Sequence, residues 1–136
     1  MSAYFAFNRY CETLILPLAN LWARIYIGLI FFRSGQAKLS DFEETIDLFT
    51  DDWALPFLPA QPAAYLATAG ELILPVLLFV GLFTRLGALG LLVMTVIIQV
   101  YVLPFDTHYL WMIILALLIG LGGGKLSLDY LLFKSK

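Results

Sequence analysis

Apolar positions along this chain run in blocks too long for the core of a soluble domain and lack the alternation of strands. A helix needs about 20 mostly apolar residues to cross a bilayer, and four such segments stand between polar breaks, at about 18–38, 63–83, 86–103 and 107–121. Pro17 suits the start of the first span, where its missing N–H would be an orphan anyway. The third span, "LGALGLLVMTVIIQVYVL", stops before Pro104, and Gly122, Gly123 and Gly124 end the fourth. Little more than Thr84 and Arg85 separates spans two and three, so these form an antiparallel hairpin. The pattern predicts an all-α, four-transmembrane-helix bundle, with residues 1–136 forming a single membrane domain and a long first loop at 39–62.

That loop has a period of its own. Ser40 and Glu43 fit a Ser-x-x-Glu capping box, and Phe42, Ile46, Phe49 and Trp53 then recur at helical spacing. They predict an amphipathic helix that rests on the bilayer, caps the bundle or offers a docking surface. "WALPFLPAQP" follows as extended chain, because each proline disfavours helix in the residue before it.

Charge sets the expected orientation. The loop holds Asp41, Glu43, Glu44, Asp47, Asp51 and Asp52 and no Lys or Arg, whereas Arg9, Arg85, Lys125, Lys134 and Lys136 fall on the opposite side. Positive residues collect in the cytoplasm, so both termini are expected there and the loop helix is expected to be extracytoplasmic. "MSAYFAFNRYCETLIL" lacks the charge and cleavage pattern of a removed signal. Its Tyr4, Phe5, Phe7 and Tyr10 suit a segment at the membrane interface.

Composition mainly excludes. Hydrophobic residues make up 62% and charged residues 13%, against about 45–50% and about 25% in soluble domains. Mean hydropathy is +0.91 and the isoelectric point about 5.1. A net charge of −2 with no basic patch gives no case for nucleic acid. The lone Cys11 excludes a dithiol exchange within the chain. With His108 the only histidine, neither a bis-histidine haem nor a complete zinc site is expected from this chain alone, and no metal site is assigned. Redox chemistry would therefore need a bound organic cofactor or a partner to carry the electrons.

Ionisable residues inside the spans are the candidates for function, since each is costly in hydrocarbon unless held. Arg24, Gly28, Phe31, Gly35 and Lys38 lie on one stripe of the first span at about 100° per residue. The glycines let another helix approach, so Arg24 is expected to face inward. Arg33 lies about half a turn away and is expected to snorkel to headgroups or meet another helix near the boundary. Glu71 sits mid-span beside Ala67 and Gly70, and Pro75 withholds the N–H its carbonyl would otherwise accept. A kink and a polar pocket are expected there. Depth favours Arg33 as the partner of Glu71 and helix face favours Arg24; Arg24 is taken as the partner, with Arg33 left open. Lys38, Gln99 and His108, with Asp106, would ring the mouth of the pocket. The plainer reading of His108, beside Tyr109 and Trp111, is an interfacial residue. Arg85 and Asp129 are expected to pair structurally on the cytoplasmic side.

Three segments in this order and spacing, "RIYIGLIFFRSGQAKL", "GELILPVLLFVGLFTRLGAL" and "GLGGGKLSLD", resemble the DoxX family of small four-helix bacterial membrane proteins. The likeness runs from about Arg24 to Leu132 through Arg24, Gly28, Gly35, Lys38, Glu71, Gly81, Thr84, Arg85, Ser127, Leu128 and Asp129. Arg33 stands where the family pattern has a small or apolar residue. The resemblance implies a bacterial inner-membrane protein tied to redox-linked or metal-handling systems, and no shared catalytic mechanism.

The expected role is a non-catalytic anchor or assembly component without activity of its own. Its partner would be another membrane or extracytoplasmic protein, or a further copy of the chain. A second reading is a quinone-binding redox subunit, in which an arginine, Glu71, Gln99 and His108 supply hydrogen bonds and a proton route. A third is a transporter of a small molecule or ion, for which four spans without an inverted repeat would require oligomerisation.

Overall fold

The computed structural model of the chain describes residues 2–133; Lys134 and Lys136, used above for orientation, lie outside the described residues. Helix α1 (Ser2–Tyr10) leads through a π-helical turn, Cys11–Ile15, into α2 (Leu16–Ser40). Together they make a helical run of 38 residues from Ala3 to Ser40. The helix therefore does not begin at Pro17. Proline lacks an N–H and its ring crowds the carbonyl four residues back, and the wider π turn just before it accommodates both defects.

The remaining elements are α3 (Phe42–Asp51), α4 (Ala60–Val80), α5 (Thr84–Ile97) with a π-helical turn at Ile98–Val102, α6 (Asp106–Leu121) and the short α7 (Leu128–Phe133). The runs Ala3–Ser40, Ala60–Val80 and Thr84–Val102 are long and apolar enough to cross a membrane, and Thr107–Leu121 is a shorter apolar helix. The molecule is a helical membrane bundle. Among the described residues the β structure is an isolated antiparallel bridge between Leu55 and Leu58.

Helix α2 packs along α4, α4 against α5, and α5 against α6. Ile27 and Phe31 of α2, Leu78 of α4, Ala88 and Leu91 of α5, and Leu115 and Leu118 of α6 form the central core. Lipid tails are as apolar as these side chains, so close packing rather than escape from water holds such helices together. Gly35 shows how closely α2 and α4 approach: a Cβ there would stand 3.0 Å from the Glu71 Cβ and 3.0 Å from Leu72. Gly35→Val should accordingly cost about 1–3 kcal/mol by overpacking, read as a lower melting temperature in detergent. Gly120→Ala, with nothing within 4 Å of the added carbon, should leave the melt unchanged.

The bundle has two unlike ends. At the glycine end, α4 turns into α5 through Gly81 at φ 72° and Phe83 at φ 48°, a left-handed conformation uncommon for a bulky residue. The Asp129 carboxylate secures it by accepting the Phe83 N–H at 2.7 Å and the Thr84 N–H at 2.9 Å. In return, Asp129 N–H donates to the Gly81 carbonyl at 2.8 Å. At the acidic end, Phe49 of α3 is buried against Ala63 and Ala64 of α4, with Phe42, Ile46 and Trp53 packed beside it. The expected Ser40 capping box is absent. Helix α2 continues through Ser40, whose hydroxyl donates to the Ala37 carbonyl at 2.7 Å. Asp41 is the first residue to leave the helix, and its carboxylate accepts the Glu44 N–H at 3.1 Å instead.

Candidate functional site

Glu71 lies midway along α4 and is 2% exposed, and its carboxylate meets Lys38 of α2. The ammonium donates to Oε2 at 2.7 Å, to Oε1 at 3.0 Å and to the Ser34 hydroxyl at 2.8 Å. An ammonium has three donors, and all three are used. The Trp53 ring centre lies 5.7 Å from Nζ, close enough for its π face to add to the stabilisation of the cation. Ser34 stands one turn before Lys38 on α2, and Gly35 brings Glu71 close. The local sequence of α2 therefore prepares both the donor and the gap its partner fills.

A cavity of about 450 Å³ adjoins the pair, within the size range of small-molecule sites. Phe31, Phe49, Trp53, Leu58, Met94 and Trp111 supply much of its apolar wall, and Ser34, Lys38, Glu71 and His108 its polar groups. Trp111 keeps its Nε1–H buried with no hydrogen-bond partner. A buried donor left unsatisfied costs about 1–3 kcal/mol.

His108 is 4% exposed and packs its ring 4.8 Å from that of Trp111, so it is a buried residue and not a headgroup anchor. Gln99, on the π turn ending α5, explains why. Its Oε1 accepts the Phe105 N–H at 3.0 Å and lies 2.7 Å from His108 Nδ1. An amide oxygen only accepts, so Nδ1 carries the hydrogen and Nε2 is left as an acceptor. Gln99 is not part of the cavity wall; it orients the histidine that is.

Other expected placements differ. Arg24 does not meet Glu71. It is completely buried at the glycine end, where Nε donates to Asn20 Oδ1 at 3.1 Å, Nη1 to the Leu78 carbonyl at 2.9 Å, and Nη2 to the Leu126 carbonyl. The helix face was right and the depth wrong. Glu71 is level with Gly35, and Arg24 is eleven residues from Gly35 along α2, about 16 Å at 1.5 Å per residue. Arg33 is exposed on the outer surface of α2 and takes no part in the site. Arg85 does not pair with Asp129: its Nη2 donates to the Gly120 carbonyl at 3.3 Å, because the Asp129 carboxylate is engaged by two backbone N–H groups.

Sequence reasoning passed over Ser34, Asn20, Trp53 and the Trp111 N–H. The first two carried a signal, since each is a polar residue one turn before a cation in an oily helix. The Trp53 contact depends on how the loop folds back, and no local pattern announces it.

Residues 19–104 match the DoxX family model, a stretch that includes Lys38, Glu71 and Gln99 and ends before His108. An uncharacterized protein of Haemophilus influenzae is 35% identical, in a comparison covering 82% of this chain and 81% of that protein. No solved structure matches the chain.

Proposed function

The chain belongs to the DoxX family, and from that premise we propose that it is a four-span membrane subunit that binds a quinone-type ligand beside Lys38 and Glu71 for a redox partner. The observation that carries this reading is the cavity of about 450 Å³ with an ion pair on one wall and the rings of Phe31, Trp53 and Trp111 on the others. A quinone ring suits aromatic walls, and one of its carbonyl oxygens would replace the Ser34 hydroxyl as acceptor of a Lys38 N–H. Glu71 and His108 Nε2 are acceptors for the hydroxyl protons of the reduced form. The chain has one cysteine and one histidine, so the partner supplies or removes the electrons and this subunit holds the ring and handles protons. The same cavity weighs against a purely structural anchor, which has no need of an open apolar space beside a buried ion pair. We place the protein in the bacterial inner membrane with the acidic end outside, because Arg9, Arg85 and Lys125 collect at the opposite side from the acids of the first loop.

Titration of the detergent-solubilised protein with a short-tailed quinone tests the reading by tryptophan fluorescence. Trp53 and Trp111 line the cavity, so saturable quenching is expected. Trp111→Phe replaces the indole with a smaller ring, and should weaken the quinone by about tenfold, the scale of one aromatic stacking contact. Quenching that never saturates, or the same affinity in Trp111→Phe and Glu71→Gln as in the unaltered protein, would remove quinone binding as the function.

A further inference from the structure

Three cations lie within α2, and the fold provides for two of them. Lys38 has Glu71 and Ser34; Arg24 has a carboxamide and two carbonyls. Arg33 has no hydrogen-bond or ion-pair partner among the described residues and faces away from the bundle. It is seven residues from Ser40 at the end of α2, about 10 Å along an apolar helix long enough to cross a bilayer. Its neighbours on that face follow a four-three spacing: Trp22, Tyr26, Leu29, Arg33 and Gln36. All five are exposed, Trp22 by 71%. Such a spacing keeps one straight seam turned toward a second helix. From the seam and its uncompensated charge together, we infer that this face of α2 receives a transmembrane helix of another protein carrying a carboxylate level with Arg33.

A second copy of the chain does not supply that carboxylate. In a parallel two-fold pair Arg33 would face Arg33, and like charges repel. Of the ten acidic residues, Glu71 is engaged by Lys38, Glu12 is about 31 Å from Arg33 along the same helical run, and Asp41, Glu43, Glu44, Asp47, Asp51, Asp52, Asp106 and Asp129 lie outside the spans or at their ends. The inference is independent of the quinone reading, because none of these five residues lines the cavity. The test uses labelled model transmembrane peptides of leucine and alanine carrying one Glu, Gln or Leu at the matching depth. Each is reconstituted with labelled protein in phosphatidylcholine vesicles and followed by energy transfer. The Glu peptide should associate about tenfold more tightly than the other two, the scale of an interhelical polar pair in lipid. Arg33→Leu should abolish that difference, and Arg33→Lys should retain part of it. Equal association of the three peptides, or an Arg33→Leu protein that still prefers Glu, would overturn the inference. So would native mass spectrometry in which phosphatidylglycerol is retained by the unaltered protein and lost from Arg33→Leu, since Arg33 would then serve a lipid phosphate.

Discussion

Glu71→Leu is expected to lower the free energy of unfolding by about 3–5 kcal/mol, the cost of leaving one member of a buried ion pair without the other. The lost partner leaves Lys38 with the Ser34 hydroxyl and the Trp53 face alone. Neither carries a charge to offset the desolvation of the ammonium. Replacing both members, as Lys38→Met with Glu71→Leu, should recover most of the loss, because well-packed apolar residues substitute for a buried pair with little net change. The competing pairing makes the opposite forecast. If Glu71 served Arg24, then Arg24→Met would rescue Glu71→Leu and Lys38→Met would not. A double-mutant cycle on detergent-solubilised protein, read by denaturant titration, decides between them: strong coupling for positions 38 and 71, none for 24 and 71. Coupling of 71 to 24 would disprove the register described above.

That register is the part of the structure the sequence concealed. The burial of Arg24, Gly28, Phe31 and Gly35 follows from their helical spacing and the two small residues on that stripe, and the structure buries all four. Periodicity gives the direction a residue faces around its helix; it does not give the sliding position of one helix against another. The first-loop ends of α2 and α4 were taken as level, and they are not. Glu71 is eleven residues from the start of α4 and Gly35 five from the end of α2, so α4 rises about 9 Å higher at 1.5 Å per residue. Helix α3 packs into that step, on Ala63 and Ala64. Asp129 was likewise assigned the nearest cation because a left-handed Phe83 with two free amides is not a pattern its side chain advertises. The cavity arises where α2, the loop, α4, α5 and α6 converge, and no single segment contains its outline. What could be read was the inventory of polar groups; what could not was their company.

The glycine end depends on one residue in a way that its replacement will expose. Arg24 ties α2 to the last turn of α4 through the Leu78 carbonyl and to the loop after α6 through the Leu126 carbonyl. Asn20, holding Arg24 Nε, also donates to the Gly122 carbonyl at 2.9 Å. The guanidinium, Asn20 and Leu78 are buried, so water does not replace the bonds lost between them. Arg24→Met leaves these acceptors unsatisfied, at about 1–3 kcal/mol for each buried group, and should cost about 3 kcal/mol or more in denaturant titration. Arg24→Lys should fare little better. An ammonium is a compact charge on a flexible stem, whereas these acceptors diverge as the planar fork of a guanidinium does. The damage should also be local. Trypsin is expected to cut at Lys125 in both variants and to spare the unaltered protein, while the Lys38–Glu71 pair and the cavity at the other end stay as they are. An Arg24→Lys protein as stable and as resistant to trypsin as the unaltered one would mean that positive charge alone suffices at this position, and that the fork of hydrogen bonds does not hold the helices to the loop.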